Sequence, residues 1–322
     1  MSTDVIMQNV VWALIPVAIF AVYAFGLSAL LVLLTSTAAC VMTEHYLCKF
    51  SKKESTVSDW SAVITGLLLG LTLPPNFPLW MTFCGGMIAI GLGKFIFGGL
   101  GYNVFNPALV GRAVLQGSFP VAITTWYPAF SPDRFNTFSI STFTFPFMEP
   151  GVDGLSGATP LAAFKFDHVL TSTSDLALGL VGGSTGETCS LLILLGGTYL
   201  IVRNMMNWRI PVAVLGSVFI FSGILYLFNN QVYPSPIFML FSGGLMLGAV
   251  FMATDMVASP ITPLGVWVYG AIIGLFVIVI RIWGGLPEGV MYAILIANAI
   301  SPHIDNLIRP RVYGTDKRLL RS

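Results

Sequence analysis

Chemistry concentrates in a few polar stretches of an otherwise apolar chain. Asp153-Gly-Leu-Ser156-Gly157-Ala-Thr159 is followed by Pro160. Its small residues leave the backbone bare, so a bulky group could approach closely, and Thr159 offers a hydroxyl beside a proline that fixes the chain direction. Read alone, Asp-Gly and Ser-Gly also make a surface turn. A Gly/Ser/Thr run from Gly182 to Glu187 opens a helix. Its N–H groups could cradle a phosphate or a ring carbonyl, and Ser184 or Thr185 with Glu187 or Thr188 equally spells a capping box. Asn103 and Asn106 are three apart, which places both on one helical face at the start of a segment; an asparagine cap before Pro107 is the structural alternative. Asp255 sits where an apolar segment breaks, and an acid at that depth is a functional candidate by default.

The elements that must position these residues are membrane helices. Hydrophobic residues make up 56% of the 322 and charged residues only 9%, against about 25% charge in a soluble domain. Mean hydropathy is +0.85. A span needs about 20 apolar residues. Residues 10–49 are long enough for two, divided near Gly26-Leu27-Ser28. Ser61–Leu73 is a short third, stopped by Pro74, Pro75 and Pro78; such a broken segment is tolerated at membrane depth only where it lines a cavity. Residues 79–98 and Asn103 to about Gln116 follow. After a polar interval, Glu187–Val202, Ile210–Phe228, Pro236–Met252, Leu264–Ile280 and Glu288–Ile300 complete ten segments.

Five segments therefore lie on each side of one loop. Gly66-Leu-Leu-Leu-Gly70 leading into prolines matches Gly244-Leu-Met-Leu-Gly248, and Gly98-Gly99 matches Gly284-Gly285 before each last segment. An odd number of spans per copy inverts the second copy, and inverted repeats with broken helices place a site between them. The expected fold is thus an all-α integral membrane protein of about ten transmembrane helices in two inverted five-helix repeats. The expected division is residues 1–118 and 187–302 as the repeats, 119–186 as an extracytoplasmic loop, and 303–322 as a basic cytoplasmic tail. With the N-terminus inside, eleven of the fifteen Lys and Arg fall on the cytoplasmic side, as the positive-inside rule requires; Arg134, Lys165 and Arg281 fall outside, and Arg112 within the fifth segment.

Other classes are poorly supported. Net charge is +1, which suggests no nucleic-acid partner. Cys40, Cys48, Cys84 and Cys189 are scattered without CxxC or a histidine at metal-ligand spacing, the pattern of buried apolar cysteines rather than of a metal or iron–sulfur site. His45, His168 and His303 are isolated, and no phosphate-binding GxxxxGK[ST] loop is present. Glu44, His45, Asp59 and Arg112 read either as functional intramembrane charges or as structural ion pairs. The first residues lack the basic region of a signal peptide, so the first segment is expected to remain as a helix.

Four motifs occur in order: Leu73-Pro74-Pro75; Phe97-Gly-Gly-Leu-Gly-Tyr-Asn103-Val-Phe-Asn106-Pro-Ala-Leu109; Asp153–Thr159; and Gly183-Ser-Thr-Gly-Glu-Thr188. Together they resemble the family that holds the D component of Rnf electron-transport complexes and the B component of the Na⁺-translocating NADH:quinone reductase. The quinone-reductase branch carries a longer N-terminal extension, so the Rnf branch is the nearer one. The resemblance implies FMN joined by a phosphodiester to Thr159, placed there by a flavin transferase, with Asp153, Ser156 and Gly157 around it. It implies that Ser184, Thr185 and Glu187 contact a flavin, and that Asn103 and Asn106 line a second, non-covalent flavin (riboflavin) site, with Asp255 as a ring contact or part of an ion path. It implies a relay of electrons within a ferredoxin:NAD⁺ oxidoreductase complex that exports Na⁺ or H⁺. The partners would be iron–sulfur, NAD-binding and extracytoplasmic flavin subunits, together with lipid, in a bacterial or archaeal cytoplasmic membrane. The rival reading from the broken repeats alone is a channel or transporter for a small neutral solute.

Overall fold

A computed structural model describes residues 2–52, 56–136, 138–146, 148, 157–187 and 189–309. Among these residues the architecture is all helical, with one isolated bridge between Trp126 and Gly157. Among the described residues, four helices are long and apolar enough to cross a membrane: α1 (Thr3–Phe25), α2 (Leu27–Phe50), α10 (Arg209–Phe228) and α13 (Pro263–Trp283). The chain is a multi-pass membrane protein. Shorter helices fill the spaces between them: α3 (Ser61–Thr72), α4 (Leu79–Ile90), α5 (Pro107–Ser118), α9 (Ser190–Val202), α11 (Pro236–Phe241) and α14 (Val290–Leu307). The polar interval folds into short pieces, α6 (Pro120–Thr124), a 3₁₀ turn at Ile140–Phe143, α7 (Pro160–Asp167) and α8 (Thr173–Leu178).

Local sequence explains most boundaries. Gly26 parts α1 from α2, where Leu27 N donates to the Arg134 carbonyl at 3.1 Å. The prolines after Leu73 end α3, and α5, α7, α11 and α13 each carry a proline in their first turn, where its missing N–H costs nothing. In the first half α2 packs on α3 and α4, and α4 on α5; in the second, α10 packs on α11 and α13, and α13 on α14. The α10–α13 seam uses small residues: a Cβ on Gly274 would collide with Ser217, whose Oγ donates to the Gly270 carbonyl at 3.0 Å. With little solvent-driven attraction between helices in lipid, such close approach supplies the packing energy.

Three sequence expectations need correcting. Pro236–Met252 is not one segment: α11 stops at Phe241, Ser242–Gly244 breaks the chain, and α12 (Leu245–Leu247) runs into a π-helical turn at Gly248–Met252. Gly243 adopts φ +65° there, a region closed to most L-residues. The segment after Ile90 likewise continues as a π-helical turn, Gly91–Phe95. Finally, Asn103 and Asn106 do not share a helical face, because α5 starts only at Pro107.

Candidate functional site

Two groups of the sequence-derived residues are brought together, one around α7 and one around the start of α5. Thr159 caps α7, its Oγ1 accepting from Ala162 N at 3.2 Å, and it is buried. Gly157 donates its N–H to the Trp126 carbonyl at 3.0 Å, which ties the strand entering α7 to the loop after α6. Asp153 and Ser156 lie outside the described residues. The helix is held from below by Leu161, whose methyl group would stand 2.7 Å from a Cβ on Gly243, and by Phe164 on Phe238 at 5.7 Å. Lys165 Nζ donates to the carbonyls of Arg281 at 3.0 Å and Leu286 at 3.2 Å, and also to that of Gly284. Partial burial lowers the Lys165 ammonium below its ordinary pKa, since losing water disfavours the charged form.

Ser184, Thr185 and Glu187 do not form a helix cap, because α9 begins only at Ser190. The run instead pairs with the end of α3. Thr185 N and Oγ1 both donate to the Leu73 carbonyl, at 3.0 and 2.6 Å, and Gly186 N donates to Leu71 O at 2.6 Å. These carbonyls belong to the last turn of α3, where the following prolines leave no helical donors. Ser184 N donates to Glu187 Oε2 at 3.2 Å and Glu187 N to Ser184 O at 3.0 Å. Those four N–H groups are thus committed within the protein.

The second group lines a cavity, open at its mouth, between α1, α3, the start of α5 and the segment after the second π turn. Asn103 Nδ2 donates to Asp255 Oδ2 at 3.0 Å and to Phe105 O at 3.2 Å. The other Asp255 oxygen accepts from Val257 N at 3.1 Å. Asn106 does two jobs: its Oδ1 accepts from Ala108 N at 3.0 Å as the α5 cap, and its Nδ2 donates to Met252 O at 3.2 Å. Asn106 therefore caps α5, lines the pocket and clips α5 to the second π turn.

The sequence reading missed Lys94, the charge at the back of this pocket. Lys94, in the first π turn, is buried and pairs with Glu44 at 2.7 Å while donating to Ser61 Oγ at 2.5 Å. Glu44 also accepts from Thr56, and Ser61 Oγ donates to Asp59. Glu44 and Asp59 are buried. A solitary lysine inside the apolar run 79–98 was the available signal. Arg112 pairs with Glu288 at 3.0 Å and donates to the Thr72 carbonyl; Arg281 donates to Met239 O at 2.6 Å and Ser242 O at 2.8 Å. Each arginine thus caps the broken end of a helix. For Glu44 and Arg112 the ion-pair reading is the one realised.

The chain matches the NQR2, RnfD, RnfE family over residues 1–314. It belongs to that family. It is 41% identical over 98% of its length to the D component of the proton-translocating ferredoxin:NAD(+) oxidoreductase complex of Clostridium ljungdahlii, covering 92% of that protein. It is equally 41% identical, with the same two coverages, to the D component of the Na(+)-translocating ferredoxin:NAD(+) oxidoreductase complex of Acetobacterium woodii. The D component of the ion-translocating oxidoreductase complex of Aliivibrio salmonicida is 39% identical, over 98% of this chain and 95% of that one. Two relatives named for different ions stand at the same identity, so overall similarity carries no information on the ion.

Proposed function

We propose that this chain is the flavin-carrying membrane subunit of an ion-translocating ferredoxin:NAD⁺ oxidoreductase, relaying electrons in a complex rather than completing a reaction alone. The observation that carries the reading is full-length similarity to the D components of such complexes. The ion is Na⁺ or H⁺. In the arrangement we favour, ten membrane segments form two inverted five-helix repeats, both termini are cytoplasmic, and α7 faces the outside of a cytoplasmic membrane. The alike packing of α2 on α3 and α4, and of α10 on α11 and α13, supports the repeat.

Thr159 fits a phosphoryl attachment point. Its hydroxyl stands at the N-terminus of α7, where the helix dipole favours negative charge. Since Thr159 is buried, the chain over it must open before a transferase can reach the hydroxyl. A Cβ on Gly157 would meet nothing within 4 Å, which leaves room beside it for a bulky substituent. The Asn103–Asn106–Asp255 pocket fits a second, non-covalent flavin: its walls are mainly apolar, with a few fixed amide and carboxyl groups, as small-molecule sites usually are. A bound flavin supplies one-electron and two-electron transfer, while the protein contributes position and electrostatics. Asn103 holds the Asp255 carboxylate in place, and the π turn with Lys94 and Glu44 closes the back of the pocket against water.

Fluorescence of the denatured chain in a gel, with mass analysis of the Thr159 peptide, tests the covalent link. A band that does not fluoresce and a peptide of unmodified mass would remove the claim. The partners of the proposed relay are iron–sulfur, NAD-binding and extracytoplasmic flavin subunits, and a flavin transferase for loading.

A further inference from the structure

A second, small cavity lies where the ends of α3 and α11 approach the turn before α14. Thr72, Arg112, Ser184, Gly244 and Glu288 line it. Two carboxyl groups from segments 101 positions apart, Glu187 and Glu288, approach each other beside it, over the adjacent Gly243 and Gly244. One oxygen of each is accounted for: Glu187 Oε2 accepts from Ser184 N at 3.2 Å, and Glu288 Oε2 from Arg112 Nη2 at 3.0 Å. The other oxygen of each, Oε1, is buried and receives no donor. Glu187 is buried as a whole, and its Oε1 stands 3.5 Å from where a Cβ on Gly244 would reach into the cavity lining.

Two ionised carboxylates are acceptors only, so they cannot hydrogen bond to each other. One proton satisfies both orphan oxygens at once, as in other sites where two carboxyls share a buried position. The groups facing the pair are Arg112 from α5 and Arg281 from α13. Arg281 directs its two Nη groups to the Met239 and Ser242 carbonyls, and its Nε has no acceptor. Lys165 of α7 is committed to the carbonyls of the 281–286 turn. The two guanidinium charges balance the pair when it is fully ionised.

We propose that Glu187 and Glu288 form a one-proton site, a carboxylic acid hydrogen bonded to a carboxylate, opening on the cavity between the two broken helices. In the loaded state one Oε1–H donates to the other Oε1; in the unloaded state the proton has left through the cavity and both carboxylates face the arginines. No other bond forms or breaks. The site lies under α7: Gly243, against which Leu161 packs, is 3.8 Å from Glu288 Cγ when given a Cβ. The assignment stands whether or not a flavin is attached to Thr159.

Infrared spectroscopy of the purified full-length chain, titrated with acid and base in potassium buffer, tests it. The expected result is a protonated-carboxyl carbonyl band at neutral pH that is lost in both Glu187→Gln and Glu288→Gln and retained in Asp255→Asn. Either glutamine can donate from its amide to the remaining carboxylate, so both variants should keep the fold. Should they not fold, the wild-type spectrum still decides, because absence of any such band at neutral pH overturns the proposal. A band that survives both glutamine replacements also overturns it. So does a wild-type band abolished by sodium at constant pH, which would make a metal cation the occupant.

Discussion

The α7 region and the Asn–Asp pocket make opposite use of polar residues. In residues 157–187, which hold Thr159, the polar atoms are closed onto the protein: a threonine capping its own helix, a lysine on three carbonyls, a Gly/Ser/Thr run spent on the end of α3. Around Asn103 they come from segments up to 152 positions apart, and they frame open space. A covalently held group needs one reactive atom and an approach route. A group held without a bond needs a preformed cavity with several fixed contacts, which only converging segments can supply.

That contrast can be broken experimentally. Thr159→Val should abolish covalent flavin completely, read as in-gel fluorescence, while flavin released by denaturation remains; the lost cap should cost only about 1 kcal/mol of stability. If the releasable flavin vanished too, the two sites would not be independent. Lys94→Met should destabilise by about 3–5 kcal/mol, because it strands the buried Glu44 carboxylate, and adding Glu44→Gln should restore much of the melting temperature. Recovery that fails would mean Lys94 acts on more than its ion pair.

Gly243→Ala should cost about 1–2 kcal/mol for the left-handed backbone and should push Leu161 away. Covalent loading should fall while the amount of releasable flavin holds. Asp255→Asn should cost about 1 kcal/mol, since an amide keeps an acceptor for one of the two donors, Asn103 Nδ2 and Val257 N, and loses it for the other. Its effect should appear as weaker retention of releasable flavin during purification, with the Thr159 adduct unchanged.

The helices were largely legible because their signal is local. A run of apolar residues marked α10 to within one residue at its start, Gly26 marked the division of α1 from α2, and three prolines marked the end of α3. The break at Ser242–Gly244 was not legible. Its residues are compatible with a helix in an apolar run, and what stabilises the interruption is Arg281 from α13, which caps Met239 and Ser242. The Gly/Ser/Thr run misled in the same way. Its composition suits a helix N-terminus, but the unpaired carbonyls of α3 were a stronger claim on its donors.

By itself the sequence determined that this is a helical membrane protein with broken segments, and it singled out Thr159, the asparagines and Asp255 as the residues with chemistry to offer. Only the tertiary structure decided that Lys94 is buried against Glu44, that Asn103 holds Asp255, and that Glu187 meets Glu288. Apolar patterning acts over neighbouring turns and is written locally, whereas a buried polar atom must find its partner wherever the packed chain brings one.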